Sequence, residues 1–276
     1  MVILIQCTDK VGLVASIAGV MAEENINIVS MREHVDVSAN IFFARLVTDN
    51  RHTDAYIFHQ KLAHVLPADA VITVNPEPDK KIVVLVTKEY HCLGDILLRN
   101  HFKTLGASVM CIIGNHADLH NICDRFAVPF HFISHENKSK EIFENEITGC
   151  ISQYQPDYLV LAKFMRILSP AFVSRFTGRI INIHHSFLPA FTGASPYRQA
   201  FERGVKLIGA TAHFVTNELD EGPIIAQQII HVNHTYTSAD MMKAGREIET
   251  AVLAKALQLV FDDRVFIYRN KTVVFE

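Results

Sequence analysis

The chain has 276 residues, of which 49% are hydrophobic and 20% charged, and its formal net charge is −3. This length fits about two domains, and the composition supplies apolar cores, which excludes a mini-protein and a largely disordered chain. The basic residues form no stripe, so binding of nucleic acid through phosphate neutralisation is not expected. The longest apolar runs are strand-sized and the amino terminus lacks a secretory pattern, so we expect no membrane span and a cytoplasmic location.

The cysteine and histidine spacings predict neither disulfides nor a metal site. The cysteines contain no C-x-x-C pair, which is typical of reduced core thiols: Cys7, Cys92, Cys111, Cys123 and Cys150. Several histidines are close in sequence, but no H-E-x-x-H or comparable ligand spacing accompanies them: His184, His185, His213, His231 and His234.

A domain boundary is predicted at residues 75–81, where two prolines and charged neighbours separate two apolar, β-rich runs. The predicted domains are residues 1–78 and 79–276. In the first domain, apolar periodicity predicts strands at 2–7, 26–35, 41–47 and 70–74 and helices at 11–24 and 52–66. The order βαββαβ is that of a ferredoxin-like fold.

In the second domain, strands alternate with helices. Strands are predicted at 82–86, 108–113, 130–133, 158–161 and 180–183, and helices at 93–101, 119–126, 138–153 and 170–176. This α/β alternation predicts a doubly wound, mostly parallel, Rossmann-like sheet that binds ligands beyond the carboxyl ends of its strands. Two longer strands at 207–215 and 224–232, a helix at 238–262 and a strand pair at 265–268 and 272–275 complete the domain.

Chemistry-bearing side chains gather at the end of the fifth strand of this domain. Neither G-x-G-x-x-G, a P-loop nor G-x-S-x-G occurs. Asn182 and His184 share one face of the strand because side chains alternate, and Asp220 lies in an acidic loop that can fold over them. An amide, an imidazole and a carboxylate suit attack on a carbonyl. The ordinary alternative is that these groups satisfy loop backbone and a solvated turn.

Three motifs in this region strongly resemble the folate-dependent formyltransferase family. They are LAKFMRILSP at 161–170, INIHHSFLPAFTG at 181–193 and TAHFVTNELDEGPIIAQQ at 211–228. The resemblance implies that Asn182, His184 and Asp220 are the catalytic trio. It also implies that the folate pterin is bound by Phe164, Met165, Arg166, Ile167, Leu168 and Leu219.

Two departures from the amine-formylating members favour the hydrolytic members of the family. The loop after the first strand reads TKEYHCLG at 87–94 instead of a glycine-rich phosphate cradle, and His185 stands where proline is common. The resemblance therefore implies hydrolysis of 10-formyltetrahydrofolate to formate and tetrahydrofolate, without a cofactor or metal. This reaction supplies formate for purine biosynthesis and balances the one-carbon folate pool. His185 either positions the water or is structural.

The front domain is similar to the ACT family of small-molecule sensors in DKVGLVA at 9–15 and ENINI at 24–28. The similarity implies an amino-acid effector, with methionine and glycine as candidates, and a homo-oligomer. Asp9, Gly12 and Asn27 are the candidate effector residues, although Gly12 and Asn27 also suit a turn and a strand start.

Two other functions remain open: formyl transfer to an unidentified amine, and non-catalytic sensing of folate or an amino acid. The intact trio argues against a pure sensor.

Overall fold

The computed structural model describes residues 1–49, 54–75, 79–189 and 196–276. Its contacts divide the chain into two compact units. The first comprises Met1–Pro78 with Asp262–Phe266 and Val274–Glu276, and the second comprises Asp79–Phe261 with Ile267–Val273. The first unit therefore includes two short carboxyl-terminal stretches that the sequence analysis placed in the second domain. The prolines of the predicted linker lie outside the described residues.

The first unit has the predicted βαββαβ order. Its elements are β1 (Val2–Thr8), α1 (Leu13–Glu23), β2 (Ile28–Asp36), β3 (Ile41–Thr48), α2 (Ala55–Val65) and β4 (Val71–Asn75). The antiparallel sheet has the order β2-β3-β1-β4. Alternate residues of β1 are buried because only one face of the sheet is covered by the helices. The predicted beginning of α2, at residues 52 and 53, lies outside the described residues; Asp54 caps the helix by accepting from two backbone N–H groups.

The second unit is built on a seven-stranded sheet with the order β11-β10-β9-β8-β5-β6-β7. Its strands are β5 (Lys80–Val86), β6 (Ala107–Gly114), β7 (Phe130–Phe132), β8 (Tyr158–Leu161), β9 (Ile180–His184), β10 (Leu207–Phe214) and β11 (Ile224–His231). Strands β5 to β9 pair in parallel, and β10 and β11 are antiparallel. The central strand β5 is buried on both faces, as its valine-rich sequence predicts. The mostly parallel α/β fold is thus confirmed.

The helices of this unit are α3 (His91–His101), α4 (His120–Arg125), α5 (Lys140–Ser152), α6 (Pro170–Arg175), α7 (Pro196–Arg203) and α8 (Ser238–Phe261). Sequence periodicity did not predict α7, because its segment PYRQAFER is largely polar. A strand pair, β12 (Val265–Tyr268) and β13 (Lys271–Val274), lies near the carboxyl terminus. Among the described helices, none is long and apolar enough to cross a membrane.

The order of the sheet reverses between β5 and β8, because the chain continues to β6 on one side of β5 and returns as β8 on the other. Open α/β sheets bind ligands at such a point, beyond the carboxyl ends of the strands. The loop that follows β5 is short, since α3 already begins at His91; Gly94, which the sequence analysis placed in this loop, lies inside the helix. Helix α8 packs against α3, α7 and the strands β9 to β11.

Gly245, in the middle of α8, lies against the ring of Tyr197. A Cβ at Gly245 would stand 2.6 Å from the Cε1 atom of Tyr197 and closer still to its Cζ atom and its hydroxyl oxygen. Alanine normally stabilises a helix interior by about 1 kcal/mol over glycine. We expect Gly245→Ala instead to destabilise the protein by about 1–3 kcal/mol through overpacking, measured by urea unfolding.

The matched control is Gly149→Ala in α5, where a Cβ would meet no atom within 4 Å. This variant should be as stable as the parent chain or more stable. Stabilisation by both substitutions would contradict the packing described for α7 and α8.

Candidate active site

A cavity of about 330 Å³ opens at the carboxyl ends of β8 and β9 and is bordered by β10 and the loop that precedes β11. Every residue that the sequence analysis assigned to catalysis, water positioning or folate binding lines it: Asn182, His184, Asp220, His185, Phe164, Met165, Arg166, Ile167, Leu168 and Leu219. The cavity is also lined by residues outside those predictions, among them Lys163 and His213. The chain thus brings the predicted side chains together, although they span nearly sixty residues of sequence.

His184 and Asp220 form a buried pair at the floor of the cavity. The Nδ1 atom of His184 lies 3.2 Å from Oδ1 of Asp220, and the two side chains are 7% and 14% exposed. The hydrogen bond from His184 is the main cause that lowers the pKa of Asp220 below its usual range, so this carboxylate is ionised at neutral pH. Within the described residues, Nε2 of His184 is buried without a hydrogen-bond partner. A substrate atom in the cavity can supply that partner.

His213 fixes the amide of Asn182. These residues are direct cross-strand partners in the antiparallel pairing of β9 with β10. Nδ1 of His213 lies 2.9 Å from the carbonyl oxygen of Phe214 and therefore carries the proton, which leaves Nε2 to accept from Nδ2 of Asn182 at 3.2 Å. Burial lowers the pKa of His213, in keeping with a neutral ring. One side-chain N–H of Asn182 is therefore engaged by His213, and this hydrogen bond fixes the orientation of the amide.

The segment that follows β9 is held by Thr211, the cross-strand partner of His184. The hydroxyl of Thr211 accepts from the backbone N–H of Leu188 at 3.0 Å and from Nε2 of Gln227 at 2.9 Å, and it donates to the carbonyl of Ser186 at 2.9 Å. This fully buried side chain fixes the backbone two residues beyond His184.

His185 stacks on His184, with ring centroids 5.0 Å apart and an interplanar angle of 22°. Burial and the positive charge of Lys163 lower the pKa of His185 to about 4. The imidazole is therefore neutral at physiological pH and retains a lone pair that can accept a hydrogen bond.

Three residues of the predicted pterin pocket, Met165, Ile167 and Leu219, form an apolar wall beside these polar groups. Met165, Ile167 and Leu219 are 55%, 63% and 59% exposed, so large apolar side chains line an open surface. The backbone N–H of Met165 donates to the hydroxyl of Thr87 at 2.9 Å, which fixes this loop to the end of β5. An apolar wall next to a few convergent polar groups is typical of a small-molecule site.

Within the part of the chain that the structure describes, two groups of thiol, imidazole and carboxylate side chains lie close enough to consider as metal ligands. They are Cys111 with His131 and Cys150, and His91 with Cys92 and Glu249. In the first group, burial raises the pKa of both thiols and keeps them protonated. In the second, Glu249 is already bound by Lys163, a cation.

Within a single chain, the three candidate effector residues of the first unit lie at two separate places, at opposite ends of β1. The N–H of Asp9 bonds to the carbonyl of Asn40 at the end of β1, where Gly12 begins α1 with a φ of +93°. Asn27 bonds through its N–H to Asp49, at the opposite end of β1.

Comparison with known proteins agrees with this fold and site. Residues 80–257 match the family described as "Formyl transferase", and residues 1–55 match the family described as "ACT domain". The chain is 47% identical to the formyltetrahydrofolate deformylase of Haemophilus influenzae over 99% of this chain and 98% of the relative. The protein of the same name from Escherichia coli K12 is 48% identical over 97% and 95%. A crystal structure of a formyltetrahydrofolate deformylase from Pseudomonas syringae superposes with a TM-score of 0.95, at 38% identity, and covers 100% of this chain and 94% of that one.

The fold and the cavity therefore define an enzyme of the formyltransferase fold preceded by an ACT domain. At this identity over nearly the full length, the assignment is more specific. The chain belongs to the formyltetrahydrofolate deformylase family, a family of hydrolases.

Thr211→Val keeps the volume of the side chain and removes its hydroxyl. We expect a loss of about 1–3 kcal/mol in the free energy of unfolding, because the buried N–H of Leu188 loses its acceptor. Urea unfolding measures this change. Thr177→Val is the matched control, since Thr177 is exposed, and it should change stability by less than about 0.5 kcal/mol. Equal effects of the two substitutions would contradict the role given to Thr211.

Proposed function

We propose that the chain hydrolyses 10-formyltetrahydrofolate to formate and tetrahydrofolate, with Asn182, His184 and Asp220 as its catalytic residues. One observation carries this proposal: an oriented amide, an imidazole with an unpartnered Nε2 and an ionised carboxylate converge on one cavity with an apolar wall. These are the groups that addition of water to a formyl carbon requires.

The folate ring system binds along the apolar wall. Its flat pterin covers Met165, Ile167 and Leu219, whose exposed side chains lose contact with water when the ligand binds. The loop that contains Phe164, Arg166 and Leu168 completes this pocket. In this orientation, the formyl group on the folate nitrogen reaches the polar end of the cavity.

The reaction proceeds through a tetrahedral intermediate. A water oxygen attacks the formyl carbon while Asp220 accepts a water proton, directly or through His184. Asn182 donates a hydrogen bond to the developing oxyanion, and Nε2 of His184 donates a second one once it has taken up the water proton. The bond between the formyl carbon and the folate nitrogen then breaks, the nitrogen takes up the proton, and formate and tetrahydrofolate leave. The neutral ring of His185 accepts a hydrogen bond from the attacking water.

This scheme uses no metal and no cofactor. Its product, formate, serves purine biosynthesis, and its consumption of 10-formyltetrahydrofolate adjusts the one-carbon pool. We place the boundary between the regulatory and catalytic domains at residues 78 and 79. The regulatory domain binds an amino acid, methionine or glycine, and the enzyme works as a homo-oligomer.

Asp220→Asn and Asn182→Ala should each lower kcat for formate release by about 10²–10³-fold or more, with the protein still folded. Asparagine suits position 220 because the backbone there has a φ of +58°, which asparagine tolerates well. Formate release from 10-formyltetrahydrofolate, without an added acceptor, is the measurement. The matched control is Glu221→Gln, which neutralises the adjacent exposed carboxylate and should retain the parent rate.

Substantial activity in both Asp220→Asn and Asn182→Ala would contradict the catalytic assignment. Formyl transfer to an added amine that outruns hydrolysis would identify a transferase instead. Tight folate binding with no turnover by either route would identify a sensor.

The effector proposal is tested at the turn that begins α1. Gly12→Ala places a side chain where φ is +93°, so the turn must change its conformation. We expect this variant to lose the response of the formate-release rate to methionine or glycine while it keeps the basal rate. Gly19→Ala, within α1 and with no atom within 4 Å of its Cβ, should keep the response. No effect of either amino acid on the parent enzyme, in rate or in binding, would refute regulation by these ligands.

A further inference from the structure

Lys163 lies at a special point of the sheet, and both its backbone conformation and the burial of its side chain are unfavourable for a lysine. It lies directly beyond β8, at the point where the order of the sheet reverses. Its backbone has a φ of +61°, a left-handed conformation that costs a residue with a Cβ about 1–2 kcal/mol and costs glycine almost nothing. Its side chain is also 9% exposed. A buried cation on a strained backbone, at the wall of the cavity, indicates a function for the ammonium group.

Glu249 holds this ammonium group in place. Nζ of Lys163 lies 3.0 Å from Oε2 of Glu249, whose side chain is 1% exposed. Nε2 of His91 lies 2.8 Å from the same oxygen, and the hydroxyl of Tyr197 donates to Oε1 at 2.6 Å. Burial by itself would raise the pKa of Glu249, but these hydrogen bonds and the charge of Lys163 outweigh it and lower the pKa to about 2. The carboxylate is ionised and fully engaged.

The ion pair of Lys163 and Glu249 therefore lies beside the reaction centre. The neighbouring loop after β5 contributes Glu89, whose Oε2 lies 3.1 Å from a guanidinium nitrogen of Arg246. Lys163 lines the cavity together with His184 and His185, and its positive charge acts on His185 beside the reaction centre. An incoming ammonium group would meet this fixed cation and would find Glu249 already paired.

We infer that Lys163 is a specificity-determining residue, which excludes amines from the reaction centre so that water is the acceptor. The inference rests on the proposed function and deepens it. A primary amine is mainly protonated at neutral pH, and bringing that charge beside a buried cation is unfavourable. Water is neutral and is not excluded in this way. The same charge helps to keep His185 unprotonated and able to hold the water.

The charged and titratable groups around His185 come from several elements. They are Lys163 after β8, His184 on β9, Asp220 before β11 and Glu249 on α8, with the ring of Tyr197 of α7 at 6.3 Å between centroids. Lys163 and His184 lower the pKa of His185, and the two carboxylates raise it. Loss of the Lys163 charge should therefore raise this pKa and move the acidic limb of the pH profile upward.

The test replaces Lys163 and measures which nucleophile takes the formyl group. Lys163→Gly removes the ammonium and suits the left-handed backbone, Lys163→Met keeps the length without the charge, and Lys163→Arg keeps the charge. Lys88→Met is the control, since Lys88 is an exposed lysine of the loop after β5. Ethylamine serves as the amine probe, and mass spectrometry quantifies N-ethylformamide and formate from 10-formyltetrahydrofolate.

In the amine reaction, the ethylamine nitrogen attacks the formyl carbon and the bond to the folate nitrogen breaks. The folate nitrogen takes the proton that the amine loses. We expect the ratio of N-ethylformamide to formate to rise at least about tenfold in Lys163→Gly and Lys163→Met, and to stay at the parent value in Lys163→Arg and Lys88→Met. The acidic limb of kcat/KM for formate release should move to higher pH in the same two variants, a change that a purely structural role would not produce.

An unchanged product ratio and an unchanged acidic limb in folded Lys163→Met would overturn the inference. If single substitution unfolds the protein by leaving Glu249 unpaired, the double variant Lys163→Met with Glu249→Gln removes both charges and answers the same question. Failure of the proposed function is distinguishable, because the parent enzyme would then release no formate, whereas failure of this inference alone leaves formate release intact.

Discussion

The antiparallel pairing of β10 with β9 is the constraint on which the active site depends. This register puts His213 opposite Asn182 and Thr211 opposite His184. His213 orients the amide of Asn182, and Thr211 fixes the backbone beyond His184. A slip of β10 by one residue would turn Thr211 and His213 to the other face of the sheet, away from His184 and Asn182, since side chains alternate along a strand. The geometry of the candidate active site is thus a consequence of strand pairing.

A second constraint is the separation of charge in the buried part of the site. Asp220 and Glu249 are both ionised, and each is compensated by hydrogen bonds, from His184 in one case and from Lys163, His91 and Tyr197 in the other. The neutral rings of His185 and His213 share the same surroundings. Neutral imidazoles beside ionised carboxylates give the site both acceptors and donors at one pH, as addition of water to a carbonyl requires.

The sequence predicted the fold well where local pattern decides it. Valine-rich β5 and alternating β1 were found within a few residues of their predicted bounds. Helix α7 was missed because its segment has only eight residues and is largely polar. Gly94 was counted with the loop after β5, although the helix predicted at 93–101 already contained it, and it lies in α3.

The site was predictable only in part, for physical reasons. Motif resemblance pointed to Asn182, His184 and Asp220, and the structure brings these side chains to one cavity. The alternation of Thr211 and His213 along one strand was a further signal, which the sequence analysis did not use. The partner of Lys163 lies 86 residues away on α8, and no local pattern connects the two. The carboxyl-terminal stretches could not be assigned to the first unit either, because they are far from it in sequence and no local pattern connects them.

The central claim is that water is the nucleophile at this site. The most direct measurement is the mass of the formate that the purified enzyme releases from 10-formyltetrahydrofolate in water labelled with a heavy oxygen isotope, without an added acceptor. The account predicts formate that carries one labelled oxygen atom, formed at a rate that depends on Asp220. Absence of enzyme-dependent labelled formate, with the formyl group recovered on an amine or left on the folate, would contradict it.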